Sequence, residues 1–120
     1  MNRIVILQPS YLPWLGYFDQ MVRADQFVFL DDVQFTRRDW RNRNKIRTRD
    51  RWAWLTVPVI QKGKFNQTLL ETKIDNSYPW PAKHLRTIQA HYAKAPFFDL
   101  YFSTLKSILS KGHENLVDLT

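Results

Sequence analysis

Residues 3–32 read RIVILQPSYLPWLGYFDQMVRADQFVFLDD, and the alternation of apolar and polar segments in this stretch predicts the architecture. Arg3–Leu7 carries a continuous apolar run, which is typical of a buried strand. Trp14–Arg23 has apolar residues at helical spacing, and Gln26–Leu30 is a second apolar strand. A strand, a helix and another strand in this order form the βαβ pattern of a parallel sheet.

The residues that follow predict a β-hairpin and then helices. Asn44–Thr48 and Trp52–Val57 flank a short polar turn and are read as the two hairpin strands, while Leu69–Ile74 is a weaker strand candidate. Three helical segments are predicted after them: one from about Pro79 with Ser77 as its cap, one over Phe98–Leu109, and the first turn of another at Asn115–Thr120. The expected fold class is therefore α/β, with a Rossmann-like parallel sheet start, a β-hairpin and C-terminal helices.

Length and composition limit the kind of protein. A chain of 120 residues allows one compact domain, which we place at residues 1–120. The absence of Cys excludes a disulfide scaffold, a thiolate zinc site and a cysteine nucleophile. No apolar run has the length of a membrane span, and the apolar start is too short for a signal peptide, so we expect a soluble cytoplasmic protein. Nothing in the sequence identifies a cofactor or a metal site.

Positive charge is concentrated in one part of the chain. The net charge is +7, and residues 37–51 contribute eight basic and two acidic side chains, a local net of +6. Seven of these eight cations are Arg, whose planar guanidinium binds phosphate and carboxylate groups bidentately. The stretch is either a solvated face or an anion site for a nucleotide, a phosphorylated carrier or nucleic acid.

Four polar residues follow the two predicted parallel strands. Gln8 and Tyr11 come just after the first strand, and Asp31 and Asp32 end the second. Ligands of open parallel sheets bind beyond the carboxyl ends of the strands, near helix N-termini. We expect Gln8 and Tyr11 to orient the reacting group by hydrogen bonds, and one Asp to act as general base or to position an acceptor hydroxyl. The alternative is that this segment serves only packing and turn formation.

The basic stretch supplies the candidate substrate-binding residues. Its guanidinium and amide side chains are expected to hold the anionic part of a donor or acceptor, together with the aromatic ring at the start of the first helix. These residues are Arg41, Asn42, Arg43, Asn44, Arg47 and Trp14. His84 and His91 share one helical stripe, but without Cys or an HExxH motif they are read as packing or surface residues, with general-base chemistry left open.

Several motifs together resemble the WbqC-like family of bacterial proteins. The motifs that carry the resemblance, in chain order, are Gln8–Phe18, Phe27–Phe35, Asp39–Ile46, Trp54–Pro58, Lys73–Asn76, His84–Ile88 and Tyr92–Phe98. The resemblance covers nearly the whole chain. Because members of that family are longer, it implies that this chain is an N-terminal half, to be completed by a missing C-terminal half or by a partner chain such as a second copy.

The resemblance also implies a function. In its biological context the family resembles proteins of surface-polysaccharide and O-antigen biosynthesis. The resemblance therefore implies a glycine or aminoacyl transferase role for the family. The first hypothesis is therefore a transferase that moves a small acyl or aminoacyl group onto a sugar or nucleotide-linked acceptor. The alternative is a nucleic-acid-binding module for tRNA or single strands, without catalysis. In that alternative, Trp residues within and near the basic stretch stack on bases.

Overall fold

The computed structural model describes residues 1–120, which form a mixed α/β fold. Its four strands and four helices follow one another in the order β1 (Ile4–Leu7), α1 (Leu15–Arg23), β2 (Gln26–Phe29), β3 (Arg43–Arg47), β4 (Trp52–Thr56), α2 (Trp80–Tyr92), α3 (Phe98–Leu109) and α4 (Leu116–Leu119). None of these helices combines the length and apolarity that crossing a bilayer requires. The α/β class expected from the sequence is confirmed.

β1 and β2 form a two-stranded parallel sheet. Ile4 lies opposite Gln26 and Leu7 opposite Phe29. Just beyond this register, the Leu30 backbone N–H donates to the Leu7 carbonyl at 2.9 Å. α1 connects the two strands, so the predicted strand–helix–strand unit is confirmed. The loop from residue 8 to residue 14 lies at the carboxyl end of β1 and leads into the start of α1.

β3 and β4 form the predicted antiparallel hairpin. Arg43 lies opposite Thr56 and Arg47 opposite Trp52, and the Thr48 N–H closes the turn by donating to the Arg51 carbonyl at 3.0 Å. Side chains alternate between the two faces of a strand. One face of the hairpin therefore carries cations and Trp rings, while the other carries Leu55 into the core.

The main core lies between the hairpin, the segment that follows it and helices α2 to α4. Its eleven buried members are Tyr11, Phe35, Leu55, Val57, Leu69, Ile74, Trp80, Leu85, Ile88, Leu109 and Leu116. The β1–α1–β2 unit contributes no strand or helix residue to this cluster. Apolar side chains of that unit, such as Ile4, Ile6, Leu15 and Val22, are instead exposed.

The predicted strand at Leu69–Ile74 is wrong. Residues 69–71 form a turn, and only isolated bridges occur in or beside the segment. They join Gln34 to Thr68, Val59 to Ile74 and Lys73 to Asn115. The backbone groups of this segment bond to several different partners: the Leu70 N–H donates to the Asp31 carbonyl and the Ile74 N–H to that of Glu114, at 2.9 and 2.8 Å. Since no single neighbouring strand accepts these bonds, no ladder forms.

The start of α2 also differs from the prediction. The helix begins at Trp80 with Pro79 as its N-cap residue, and no side chain caps it. Ser77 instead donates its hydroxyl to the Asp75 carboxylate at 2.6 Å. Ser77 lies two residues before the N-cap position and therefore does not cap the helix. Its hydroxyl closes a local turn instead.

Candidate functional site

A cavity of about 730 Å³ lies at the carboxyl ends of β1 and β2, beside the first turn of α1. This is the edge at which ligands of parallel sheets usually bind. It is lined by Ile6, Leu7, Gln8, Ser10, Pro13, Trp14, Tyr17, Gln20, Leu30, Trp40, Arg41 and Asn44. The cavity therefore brings together four of the residues proposed from the sequence: Gln8, Trp14, Arg41 and Asn44.

Arg41 supplies the positive charge of this cavity. Its side chain is only 15% exposed, and the nearest carboxylate oxygen, Oδ2 of Asp39, lies 3.9 Å from its Nε. Nη1 donates to the Pro9 carbonyl at 3.2 Å, whereas Nε is buried without any hydrogen-bond partner. A buried guanidinium with so few partners is costly, and an anion in the cavity would offset that cost.

Asp39 only partly neutralises this guanidinium. Burial raises the pKa of Asp39, but hydrogen bonds from the Trp40 N–H and the Thr36 hydroxyl and the charges of Arg41 and Arg43 outweigh burial, so its pKa is lowered. The carboxylate thus stays ionised, and the Trp40 N–H already donates to it at 2.7 Å. Its bonds to the backbone and to Thr36 hold it beside the cavity wall rather than in a tight pair with Arg41.

Gln8 is held in the cavity wall by its backbone. The Tyr17 hydroxyl donates to the Gln8 carbonyl at 3.2 Å. Burial raises the pKa of Tyr17 and the Arg41 charge opposes that rise, so the phenol stays protonated and able to donate. The Gln8 side-chain amide makes no hydrogen bond within the protein, which leaves its donor and acceptor free for a ligand.

Asn44 shapes the loop that precedes α1. Its Nδ2 donates to the carbonyl of Leu12 at 2.7 Å and to that of Tyr11 at 3.3 Å. Leu12 has a φ of 46°, a left-handed conformation that side chains with a Cβ rarely adopt. Asn44 therefore links the hairpin to a strained loop and maintains the cavity wall that this loop forms.

Trp14 covers the start of α1. A Cβ added at Gly16 would overlap the six-membered ring of Trp14, so the ring rests directly on the glycine backbone. The rest of the Trp14 side chain is open to solvent, since the residue is 69% exposed. Glycine at position 16 thus allows the ring to lie against the helix at the wall of the cavity.

We expect Gly16→Ala to displace the Trp14 ring without unfolding the chain, because the clash falls on the far end of an exposed side chain. Alanine is also the better helix former, by up to about 1 kcal/mol. In a ¹H–¹⁵N spectrum the five indole N–H signals of the five Trp residues report the change. The Trp14 signal, assigned with Trp14→Phe, should move most. An unchanged Trp14 signal, or a chain that unfolds, would contradict this packing.

Tyr11 is directed away from the cavity and into the core. Its hydroxyl lies 2.8 Å from Nδ1 of His84, and Nε2 of His84 lies 3.0 Å from the Thr56 carbonyl. Because a carbonyl only accepts, Nε2 carries the proton and Nδ1 accepts from Tyr11. Burial raises the pKa of Tyr11, and burial lowers the pKa of His84 while the bond to Thr56 opposes that change. Both groups are neutral, and they join the loop, the hairpin and α2.

The other proposed residues lie outside this cavity. Asp31 and Asp32 follow Leu30, which lines it, but their carboxylates make no hydrogen bond or ion pair. Asn42 and Arg43 line a separate cavity of about 470 Å³. Arg47 lines a third, of about 630 Å³, beside the end of α2. The proposed binding residues of the basic stretch are thus divided among three cavities rather than gathered at one site.

Sequence reasoning did not include Tyr17 and Gln20 in the site. They are three residues apart on α1, and Tyr17 is three residues after Trp14, so a helical-face argument could have grouped them. The sequence suggested Trp40 only as a base-stacking residue of the nucleic-acid alternative. In the structure Trp40 lines the cavity together with Tyr17 and Gln20. No group of three or more His, Asp or Glu side chains is arranged to hold a metal ion.

Comparison with known proteins identifies the family. The model of the WbqC-like protein family matches residues 8–120, which include the loop, the hairpin and all the cavity residues from Gln8 onward. The chain belongs to the WbqC-like protein family. The family assignment made from the motifs is thereby confirmed.

One relative of this WbqC-like chain is the uncharacterized protein Rv1507c of Mycobacterium tuberculosis (strain ATCC 25618 / H37Rv). The two sequences are 43% identical over 117 residues, which is 97% of this chain and 50% of that protein. The chain thus spans about half the length of the curated relative that it matches. No solved structure matches it significantly.

Proposed function

We propose that this WbqC-like chain forms part of a cytoplasmic transferase that moves a small acyl or aminoacyl group onto a sugar or nucleotide-linked acceptor. The family's similarity in context to surface-polysaccharide and O-antigen biosynthesis supports this acceptor class. The cavity at the carboxyl ends of β1 and β2 supports a small-molecule substrate, since its volume of about 730 Å³ suits one. We also propose that the β1–α1–β2 unit is the start of a Rossmann-like sheet.

The observation that carries this proposal is the guanidinium of Arg41. It is largely buried in the cavity wall, bonded to one carbonyl and 3.9 Å from the nearest carboxylate. Such a group attracts an anion strongly, because the low dielectric around it strengthens charge interactions. Phosphate groups of a nucleotide-linked substrate are anions of this kind.

The other cavity residues fit substrate positioning. The free Gln8 amide can bond to the reacting group, and the Trp14 ring offers an apolar or stacking surface at the cavity wall. Asp31 and Asp32 follow the cavity residue Leu30, and one of them is proposed to act as general base or to position the acceptor hydroxyl. In this proposal, positioning and electrostatic stabilisation supply most of the rate.

Calorimetric titration of the chain with uridine diphosphate tests the anion site. Candidate donors of the acyl group are titrated into the nucleotide-bound chain afterwards. We expect saturable binding of one nucleotide per chain, which an excess of inorganic pyrophosphate displaces and an excess of uncharged uridine does not. The proposal fails if uridine diphosphate, thymidine diphosphate and pyrophosphate all show no binding to the folded chain.

A further inference from the structure

The outer face of the β3–β4 hairpin alternates cations with Trp rings. The strand register sets Lys45 opposite Trp54 and Arg47 opposite Trp52, with these side chains on the same face. Trp40 packs on Trp54 with ring centroids 5.5 Å apart and extends the aromatic surface. We call this surface the Trp–cation face; it consists of Trp40, Arg43, Lys45, Arg47, Trp52 and Trp54.

Contacts within the Trp–cation face orient its rings. The Lys45 Nζ lies 4.0 Å from the centroid of Trp52, and the Arg43 guanidinium lies 3.9 Å from that of Trp54. Cation–π contacts of this kind hold both partners in place. Even so, Trp52 is 53% and Trp40 45% exposed, so large parts of these rings remain open to a partner. Open aromatic surface of this extent, surrounded by charge, is typical of a binding surface.

The positive charge around this face is not neutralised by the protein. Four ion pairs occur in the whole chain, and only the one between Arg41 and Asp39 involves residues 37–51. The cations of this stretch without an ion pair are Arg37, Arg38, Arg43, Lys45, Arg47, Arg49 and Arg51. Such a density of unpaired cations favours a polyanionic partner.

Cavities that include Arg side chains in their walls lie at both ends of β3. At the Arg43 end, a cavity lined entirely by polar residues includes Arg37 and Arg38. At the Arg47 end, another cavity includes Arg49 and Lys94. Arg43 and Arg47 are four residue steps apart along the strand, which is a distance of about 13 Å. Cavities lined by cations at both ends, with aromatic rings between them, match a polymer that carries negative charges along its length and flat rings between those charges.

We propose that the Trp–cation face binds single-stranded nucleic acid, with bases stacked on Trp52 and Trp40 and phosphates on the flanking cations. Stacking on aromatic rings along a basic groove is how proteins bind single strands irrespective of sequence. A duplex is a poorer partner because its bases are already stacked on one another. An anionic polysaccharide is a poorer partner because it has no aromatic bases to stack on the Trp rings. Uncharged sugars would leave the cations without partners. The site is separate from the cavity at Arg41, although Trp40 borders both.

The test uses the full 120-residue chain and a fluorescein-labelled oligothymidylate of about 12 nucleotides, within the usual range of site sizes. Inorganic polyphosphate serves as a probe that carries charge without bases. We expect Trp52→Leu to weaken oligothymidylate binding about 5- to 150-fold, the value of one stacked base, and to leave polyphosphate binding unchanged. Trp52→Phe, which keeps a ring, should recover much of the affinity.

Lys45→Ala should weaken both probes and make the slope of log affinity against log salt shallower by about 0.7. Tyr101→Leu and Lys111→Ala, which remove an exposed ring and an exposed cation elsewhere, should change neither. Failure of the wild-type chain to bind the oligothymidylate at low salt would overturn the proposal. The proposal would also be overturned if Trp52→Leu weakened oligothymidylate and polyphosphate equally, or if a duplex of the same length bound more tightly than the oligothymidylate. A third contradicting result would be tighter binding of heparin than of the oligothymidylate, with Trp52→Leu weakening the heparin complex.

Discussion

His84→Ala is expected to lower the free energy of unfolding by about 3–5 kcal/mol, a large share of the stability of a small domain. The substitution removes the acceptor of the Tyr11 hydroxyl and the donor to the Thr56 carbonyl. A buried polar group left without a partner costs about 1–3 kcal/mol. The lost imidazole also leaves a void beside Trp80, whose ring centroid lies 5.3 Å away.

Urea unfolding followed by circular dichroism measures this loss, and His91→Ala is the matched control. His91 lies on the same helix but is exposed, so its removal should change stability by less than about 0.5 kcal/mol. Tyr11→Phe should cost about 1–3 kcal/mol because it leaves Nδ1 of His84 unpaired. Similar losses for His84→Ala and His91→Ala would contradict the role given to the buried pair.

The same pair makes stability depend on pH. Burial lowers the pKa of His84 below 6.5, with the bond to Thr56 opposing, so the unfolded chain binds a proton at this site more readily than the folded one. This stabilisation is present above pH 6.5 and is lost as the pH falls below it towards the folded pKa. The lowered pKa values of Asp39 and Asp75 act separately, since their stabilisation is lost only below about pH 3.8. His84→Ala should therefore flatten the profile near pH 6, and an unchanged slope there would contradict this account.

Arg41→Ala is expected to weaken binding of uridine diphosphate about 10- to 150-fold, since hydrogen bonds to a charged group contribute about 1.5–3 kcal/mol. Arg41→Lys keeps the charge but not the planar fork, so it should recover only part of the affinity. The measurement is calorimetric titration of each variant, with thermal unfolding as the check that the chain is still folded.

Two further variants of equal charge separate this site from the rest of the basic stretch. Arg86→Ala removes an exposed cation of α2, and Arg43→Ala removes a cation that lines a different cavity. Both should bind uridine diphosphate within about twofold of the wild-type chain, since neither loses a contact in the cavity. If Arg43→Ala had the larger effect, the nucleotide would bind at the hairpin and the cavity at Arg41 would lose its assigned role.

The elements with a clear pattern could be predicted from the sequence. Apolar runs indicated the two parallel strands, and two segments that flank a polar turn indicated the hairpin, because these patterns are local in the sequence. Leu69–Ile74 has comparable residues, but its backbone groups bond to the Asp31 and Glu114 carbonyls, which are distant in sequence. Such partners are not visible in a local pattern. The cap of α2 was misplaced for a related reason, since Ser77 had a nearer partner in Asp75.

The place of the candidate site in the fold could be predicted better than the side chains that line it. The loop beyond the first strand carries Gln8 and Trp14, and the structure shows that both line the cavity there. The side chains of an irregular loop follow no period, so nothing in the sequence indicated that Tyr11 turns into the core towards His84. Similarly, Arg41 lies before β3 and Arg43 begins it, and this boundary directs neighbouring Arg residues to different cavities.

The most direct test of the central claim is to observe the Arg side chains while the anion binds. In ¹H–¹⁵N spectra of the Arg Nε–H groups, Arg41→Lys assigns the Arg41 signal, and uridine diphosphate is then titrated into the wild-type chain. We predict that the Arg41 signal shifts furthest and saturates with the calorimetric affinity, because its guanidinium meets the nucleotide phosphates in the cavity. A titration in which other Arg signals shift and that of Arg41 does not would contradict the account.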